Sequence, residues 1–248
     1  MLAELTLLLL TTALPEPSEF EPGYAPAPLA LRLEAGVNRS IDGIDYLGDN
    51  GFAAAALRFA HRDGWYVASE FLVGAGDGRS YPAVTTRALS SALGFRWPRG
   101  PHTFALELQD YRWSQSGDSY GPDRRADYRG LAANYGFGPW QVEIGTERDR
   151  PLYYAPLDRF ILYDIDRLAI ARHWELTADL LLSLAAGHAD PSGIPPSHAY
   201  LSLVLASRWQ GLDWQLRISQ VEDAAREFYP LVDRTSVGFS VGRSFSLP

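Results

Sequence analysis

Thr235-Ser236-Val237-Gly238-Phe239-Ser240-Val241-Gly242-Arg243-Ser244-Phe245-Ser246-Leu247 closes the chain with a period of two. Val237, Phe239, Val241, Phe245 and Leu247 share one parity, and Ser236, Gly238, Ser240, Gly242, Ser244 and Ser246 share the other. Successive Cβ atoms of an extended chain point to opposite faces, so this stretch is a strand with one apolar face and one small polar face.

The same period runs back through the sequence. In Leu29-Ala30-Leu31-Arg32-Leu33-Glu34-Ala35-Gly36-Val37 the odd positions are apolar. Leu201, Leu203, Leu205 and Trp209 share a face, with Tyr200, Ser202, Ala206 and Arg208 opposite. About twelve such segments are predicted, near 28–38, 51–61, 64–74, 87–97, 102–113, 126–136, 139–148, 158–172, 175–188, 197–209, 212–222 and 235–247. Most exceed the usual strand of about 5–6 residues and match the roughly 9–11 that a tilted strand needs to cross a bilayer. One segment is imperfect: Ile161, Tyr163 and Ile165 share a parity while Leu168 and Ile170 take the other. A β-bulge near Asp166-Arg167 would flip the register there; two shorter elements would break the even count.

The connections alternate. Long ones are predicted near 39–50, 75–86, 114–125, 149–157, 189–196 and 223–234, and tight turns near 62–63, 98–101, 137–138, 173–174 and 210–211. Short turns at one end and long loops at the other are the arrangement of an outer-membrane barrel, with both termini on the short-turn, periplasmic side. The fold predicted is all-β: one closed up-and-down antiparallel transmembrane β-barrel of about twelve strands over 29–248. Closure matters because lipid cannot satisfy a bare strand edge.

Six of the seven tryptophans stand beside the tight turns: Trp65, Trp97, Trp140, Trp174, Trp209 and Trp214. Alternate turns lie at one end of the sheet, so the six indoles are predicted to form one interfacial rim, where an apolar ring with one N–H is favoured. Trp113 ends a strand at the opposite rim. Alternation alone leaves open which face points out, and a soluble secreted β-sandwich that binds a ligand has the same period. The tryptophan rim, the small polar face and the mixed charges favour an apolar exterior. Arg32, Glu34, Arg58, Glu70, Arg96, Glu107, Glu143, Asp179 and Arg217 then become candidates to line the lumen, where opposite charges can pair.

Composition agrees with this reading. The chain is 46% hydrophobic, with no cysteine and hence no disulfide framework or thiolate metal site. All 22 basic residues are arginine, and the net charge of −8 argues against nucleic acid. The apolar run at Leu5–Leu14 is read as a signal-peptide remnant spanning 1–14, although Met1-Leu2-Ala3-Glu4 lacks a positive charge. Five prolines make 15–28 a linker.

Ala56-Leu57-Arg58-Phe59-Ala60-His61-Arg62-Asp63-Gly64-Trp65-Tyr66-Val67-Ala68 and Asp127-Tyr128-Arg129-Gly130-Leu131-Ala132-Ala133-Asn134-Tyr135-Gly136 resemble segments of a family of bacterial outer-membrane barrels, conserved hypothetical proteins of unassigned function. The resemblance implies an outer-membrane location and no particular activity.

A search for chemistry yields no catalytic, cofactor or metal site. His61, His102, His173 and His198 sit at or beside predicted turns and loops, and His188 closes a strand. Ser197 and His198 are adjacent and so point apart on a strand. Asp42, Asp45 and Asp49 lack the EF-hand spacing, and Gly74-Ala75-Gly76-Asp77-Gly78 has no helix to cradle phosphate. The expected function is a passive, porin-like channel for small polar solutes or a structural envelope protein. It would meet outer-membrane lipids and lipopolysaccharide, and the barrel-assembly machinery during biogenesis. The alternative is an outer-membrane hydrolase with a loop-built site.

Overall fold

A computed structural model describes residues 29–38, 40–41, 44–45, 51–75, 85–116, 124–154, 159–193, 195–223 and 235–247. The predicted leader (1–14) and linker (15–28) lie outside these residues.

The strands are β1 (Leu29–Val37), β2 (Ser40–Ile41), β3 (Ile44–Asp45), β4 (Gly51–Ala60), β5 (Trp65–Ala75), β6 (Thr85–Arg99) and β7 (His102–Ser116). They continue with β8 (Arg124–Phe137), β9 (Trp140–Tyr154), β10 (Arg159–Thr177), β11 (Leu180–Pro191), β12 (His198–Trp209), β13 (Leu212–Val221) and β14 (Thr235–Leu247). Twelve of them form one closed barrel in which each strand pairs antiparallel with its neighbours in sequence, and β2 pairs with β3 in a separate two-stranded sheet. Closure comes from β1 against β14, with Leu29 opposite Leu247 and Val37 opposite Phe239. The period-two stretches therefore are the barrel strands, and the even count holds.

Tight turns join β4–β5, β6–β7, β8–β9, β10–β11 and β12–β13 at one end, where β1 also begins and β14 ends. At Gln210-Gly211 both residues have positive φ (52° and 76°), the type I′ geometry whose twist matches the flanking strands.

Each strand buries one parity and exposes the other. The exposed parity carries Leu57, Val67, Phe71, Leu93, Leu108, Ile144, Leu168 and Leu203, and the buried parity carries Glu70, Glu107, Gln109, Asn134 and Glu143. A soluble domain buries its apolar side chains and exposes its charges. This barrel does the reverse.

Two local expectations are corrected. The turn between β10 and β11 lies at Ala178-Asp179 rather than at 173–174, because the polar residues there do not end the strand. Arg172 and Trp174 face outward, and the Arg172 guanidinium lies over the rings of Trp140 (5.2 Å) and Trp174 (5.0 Å). The bulge is also elsewhere. β10 is one strand of 19 residues whose inward parity holds from Tyr163 to His173, and the extra residue at this level sits in β9; a second register shift, between Glu175 and Thr177, lies beside the turn. Tyr163 pairs with Arg150, but Ile165 pairs with Glu147. The insertion falls at Arg148-Asp149, where Asp149 takes φ 61°. Apolar residues at 163 and 165 do not mark the outside: Tyr163 and Ile165 are buried inward and cluster with Ala189.

Candidate functional site: barrel interior and aromatic rim

The interior is built by long polar side chains reaching over strands that present small ones. Tyr66 of β5 stands opposite Gly94 of β6, which in turn stands opposite Glu107 of β7. A Cβ on Gly94 would come within 2.2 Å of the Tyr66 ring. Without one, the ring lies across β6 and its hydroxyl donates to Glu107 Oε2 at 2.5 Å. Gln109 Nε2 donates to Glu107 Oε1 at 2.5 Å, and Tyr111 donates to Gln109 at 2.8 Å. The Arg58 guanidinium lies 4.6 Å from the centre of the Tyr66 ring.

The same device operates across β14. Gly242 stands opposite Asp213 of β13 and beside Ser244, the partner of Arg32 of β1. Arg32 spans this small-residue strand to reach Asp213 (3.9 Å) and also lies 3.5 Å from Glu34. Asp213 Oδ1 accepts a hydrogen bond from Arg208 Nε at 2.8 Å. The Gly/Ser face of the closing strand is thus the gap through which β1 and β13 meet.

A third cluster lies between β9 and β10. Glu147 faces Arg150 and Arg167, each at 3.1 Å, with the Glu147 side chain only 2% exposed. Arg167 packs over Gly145, its cross-strand partner. An acid this deeply buried is tolerated when it is paired on more than one side.

Of the predicted interior residues, Arg32, Glu34, Arg58, Glu70, Arg96, Glu107, Glu143 and Arg217 fall on the inward parity of their strands. Asp179 does not: it is exposed in the β10–β11 turn. Glu147, Arg150, Arg167 and Asp213 belong to the interior and were missed. The bulge at Asp149 hid Arg150, since it places Glu147 and Arg150 on one face across an odd separation; Glu147 itself keeps the parity of Glu143. The even-spaced series Tyr163, Ile165, Arg167, Ala169, Ala171, His173 was the available signal, but its first two members read as lipid-facing.

The six predicted rim tryptophans all lie on the outward parity near the turn end. Trp65 packs on Phe59 (5.4 Å) and His61 (5.0 Å), and Trp97 on Phe95 (5.2 Å) and Phe104 (6.0 Å). Trp174 keeps its place although its turn is farther out, because Arg172 holds it beside Trp140. The Trp113 side chain lies outside the described residues.

No protein-family model matches the chain, and no curated protein sequence matches it. Solved structures do. The NanC porin superposes with a TM-score of 0.54 at 7% identity, covering 88% of this chain and 100% of that one. The KdgM porin in complex with oligogalacturonate gives 0.49 at 8% identity, over 88% and 99% of the two chains. The translocator domain of the autotransporter NalP from Neisseria meningitidis gives 0.47 at 12% identity, over 88% of each. This chain shares the fold of the NanC porin.

The histidines divide differently from their sequence reading. His61 and His102 are rim residues; His102 stacks on Phe137 (4.9 Å) and its Nδ1 lies 2.8 Å from the Tyr135 hydroxyl. His173 is no turn residue: it is buried inside the barrel with Nδ1 2.8 Å from Ser183 Oγ. Among the described residues its Nε2 has no hydrogen-bond partner. His198 is buried with Nδ1 3.2 Å from the Pro196 carbonyl, and Ser197 bonds to Asp190. Among the described residues no three metal-binding side chains gather. Asp42, Asp49 and Gly76–Gly78 lie outside those residues.

Proposed function

We propose that the chain is an integral bacterial outer-membrane barrel of the porin-like kind, with the tryptophan rim and termini at the periplasmic interface, serving as a narrow passage for small polar solutes. One observation carries the reading: large apolar side chains cover the outside of a closed sheet while acids, arginines and amides are buried within it. Only a hydrocarbon surround makes that distribution favourable. Location in the outer membrane also agrees with the barrel family that the 56–68 and 127–136 stretches resemble. Lipid and lipopolysaccharide would be its surroundings, and the assembly machinery its partner during insertion.

The interior favours a narrow or transiently opened path. Acids and arginines pair directly within it, Arg32 with Glu34 and Asp213 and Glu147 with Arg150 and Arg167. Close burial of Glu147, Arg150 and Arg167 supports a second reading, a closed barrel that serves the envelope structurally. Planar-bilayer recording separates the two. Stepwise conductance that rises in Glu147→Gln/Arg167→Gln supports the passage, and no steps from either protein support the structural role. Hydrolysis of bilayer phospholipid by the pure protein would contradict both.

A further inference from the structure

The exterior of the barrel is not uniform at its loop end. Arg112 on β7, Arg125 and Arg129 on β8 and Arg148 on β9 all face outward there, as does Arg87 on β6. Among the described residues the remaining outward positions at this height carry no arginine: Ala53 on β4, Ala35 on β1, Val237 on β14, Ile218 on β13 and Leu201 on β12.

Within the arc two arginines oppose each other. Arg129 and Arg148 are direct cross-strand partners, an arrangement of like charges that costs stability. Each leans away toward its own acid, Arg129 to Asp110 at 3.6 Å and Arg148 to Asp164 at 3.0 Å. Arg148 also reaches Asp166 at 3.7 Å, and Arg112 lies 3.5 Å from Asp110. The row across β7–β10 therefore reads acid, base, base, acid, with two adjacent guanidiniums at its centre, and a further acid, Asp127, stands opposite Arg112. The Arg129 side chain is 85% exposed and that of Arg148 54%.

What lies beneath the pair identifies its occupant. Leu108, Leu131, Ile144 and Leu168 form an exposed apolar band on the same four strands, immediately toward the tryptophan rim. Arg148 stands about eight residues above Trp140, which at about 3.3 Å per residue and a tilt of about 40° is roughly 20 Å. That height is the far edge of the apolar belt, where head groups begin. A ligand matching both features has an anionic phosphate above and acyl chains below.

We propose that Arg129 and Arg148, with Arg112 beside them, seat the phosphate of an outer-leaflet lipid head group, the lipid A moiety of lipopolysaccharide. The phosphate bridges the two guanidiniums by charge-assisted hydrogen bonds and removes their repulsion, while Asp110 and Asp164 hold them from the outer sides. The site faces the outer leaflet only if the turn end is periplasmic, so the inference rests on the orientation proposed above.

The test uses the full-length protein purified in mild detergent from lipopolysaccharide-bearing outer membranes, with bound lipid A counted by native mass spectrometry. Wild type carries lipid A, and Arg129→Gln/Arg148→Gln lowers its occupancy about tenfold or more. Arg172→Gln, on the opposite rim, leaves occupancy unchanged, and heat-modifiable gel mobility reports that each barrel is folded. Equal lipid A on wild type and the double variant overturns the proposal. So does displacement of lipid A by millimolar inorganic phosphate, which would make the seat a soluble-anion site. Loss of a dimer with lipid A retained would also overturn it and make the arc an interface between copies. A wild-type chain soluble without detergent would instead refute the membrane reading itself.

Discussion

Tyr66 on β5 passes over Gly94 of β6 and donates its hydroxyl to Glu107 on β7 at 2.5 Å. The bond ties together strands that are not neighbours and makes Glu107 the centre of a chain that includes Gln109 and Tyr111. Gly94→Val puts methyl groups where the ring lies and is expected to destabilise the barrel by about 1–3 kcal/mol, the usual cost of overpacking. Tyr66→Phe keeps the ring and leaves a buried carboxylate oxygen short of one donor, at about 1–3 kcal/mol. Urea titration of the protein in lipid vesicles, followed by tryptophan fluorescence, measures both.

The Glu147 pair of contacts makes a different prediction. Glu147→Gln strands two buried guanidiniums, and removal of one partner from a buried ion pair typically costs about 3–5 kcal/mol. Glu147→Gln/Arg167→Gln removes one of the stranded charges and is expected to recover part of that loss. A double-mutant cycle in vesicles checks it; strict additivity would show that the two residues do not interact.

Ile144 lies in the middle of the exposed apolar belt. Ile144→Arg should cost about 2–4 kcal/mol in a bilayer, because an arginine at that depth loses its water. In a soluble barrel the same exposed substitution would be close to neutral. The free energy of vesicle insertion for Ile144→Arg against wild type decides between them, and a difference under about 0.5 kcal/mol would refute the membrane exterior.

Asp149 holds a left-handed backbone at the bulge, and its deletion should close the bulge and leave Glu147 and Arg150 two residues apart, still on the inward face. Asp149→Gly, which keeps the extra residue without the strain, should be neutral or stabilising by about 1 kcal/mol. The chain has no cysteine, so a single introduced thiol reports its own side. A water-soluble maleimide is expected to label Arg148→Cys quickly and Arg150→Cys slowly, and the same order should hold when Asp149 is deleted; a reversal would show that Asp149 is not the extra residue.

Most of the architecture was legible because alternation is local. The 235–247 stretch states its two faces without reference to any other strand, and Gln210-Gly211 states its turn. The outward parity of the turn-flanking tryptophans was legible for the same reason, since it follows from the alternation of their strands. β10 was misread because Tyr163 and Ile165 face inward while Asp164 and Asp166 face outward, where Arg148 meets them. Near the loop end Tyr163 and Ile165 pack inward against Ala189, so the rule that apolar means outside lapses there.

The sequence by itself determined a period of two, an even number of crossing segments and which end of the barrel carries the aromatics, since these depend on neighbouring residues and on the fixed opposition of successive side chains. The tertiary structure alone decided that Tyr66 finds Glu107, that Arg32 finds Asp213 across β14, that Glu147 has two arginines and that Arg129 faces Arg148. Those pairings depend on inter-strand register, which is set by closing the whole sheet, from Leu29 to Leu247, and by extra residues at Asp149 and between Glu175 and Thr177. Register is a property of the closed ring, and no single strand carries it.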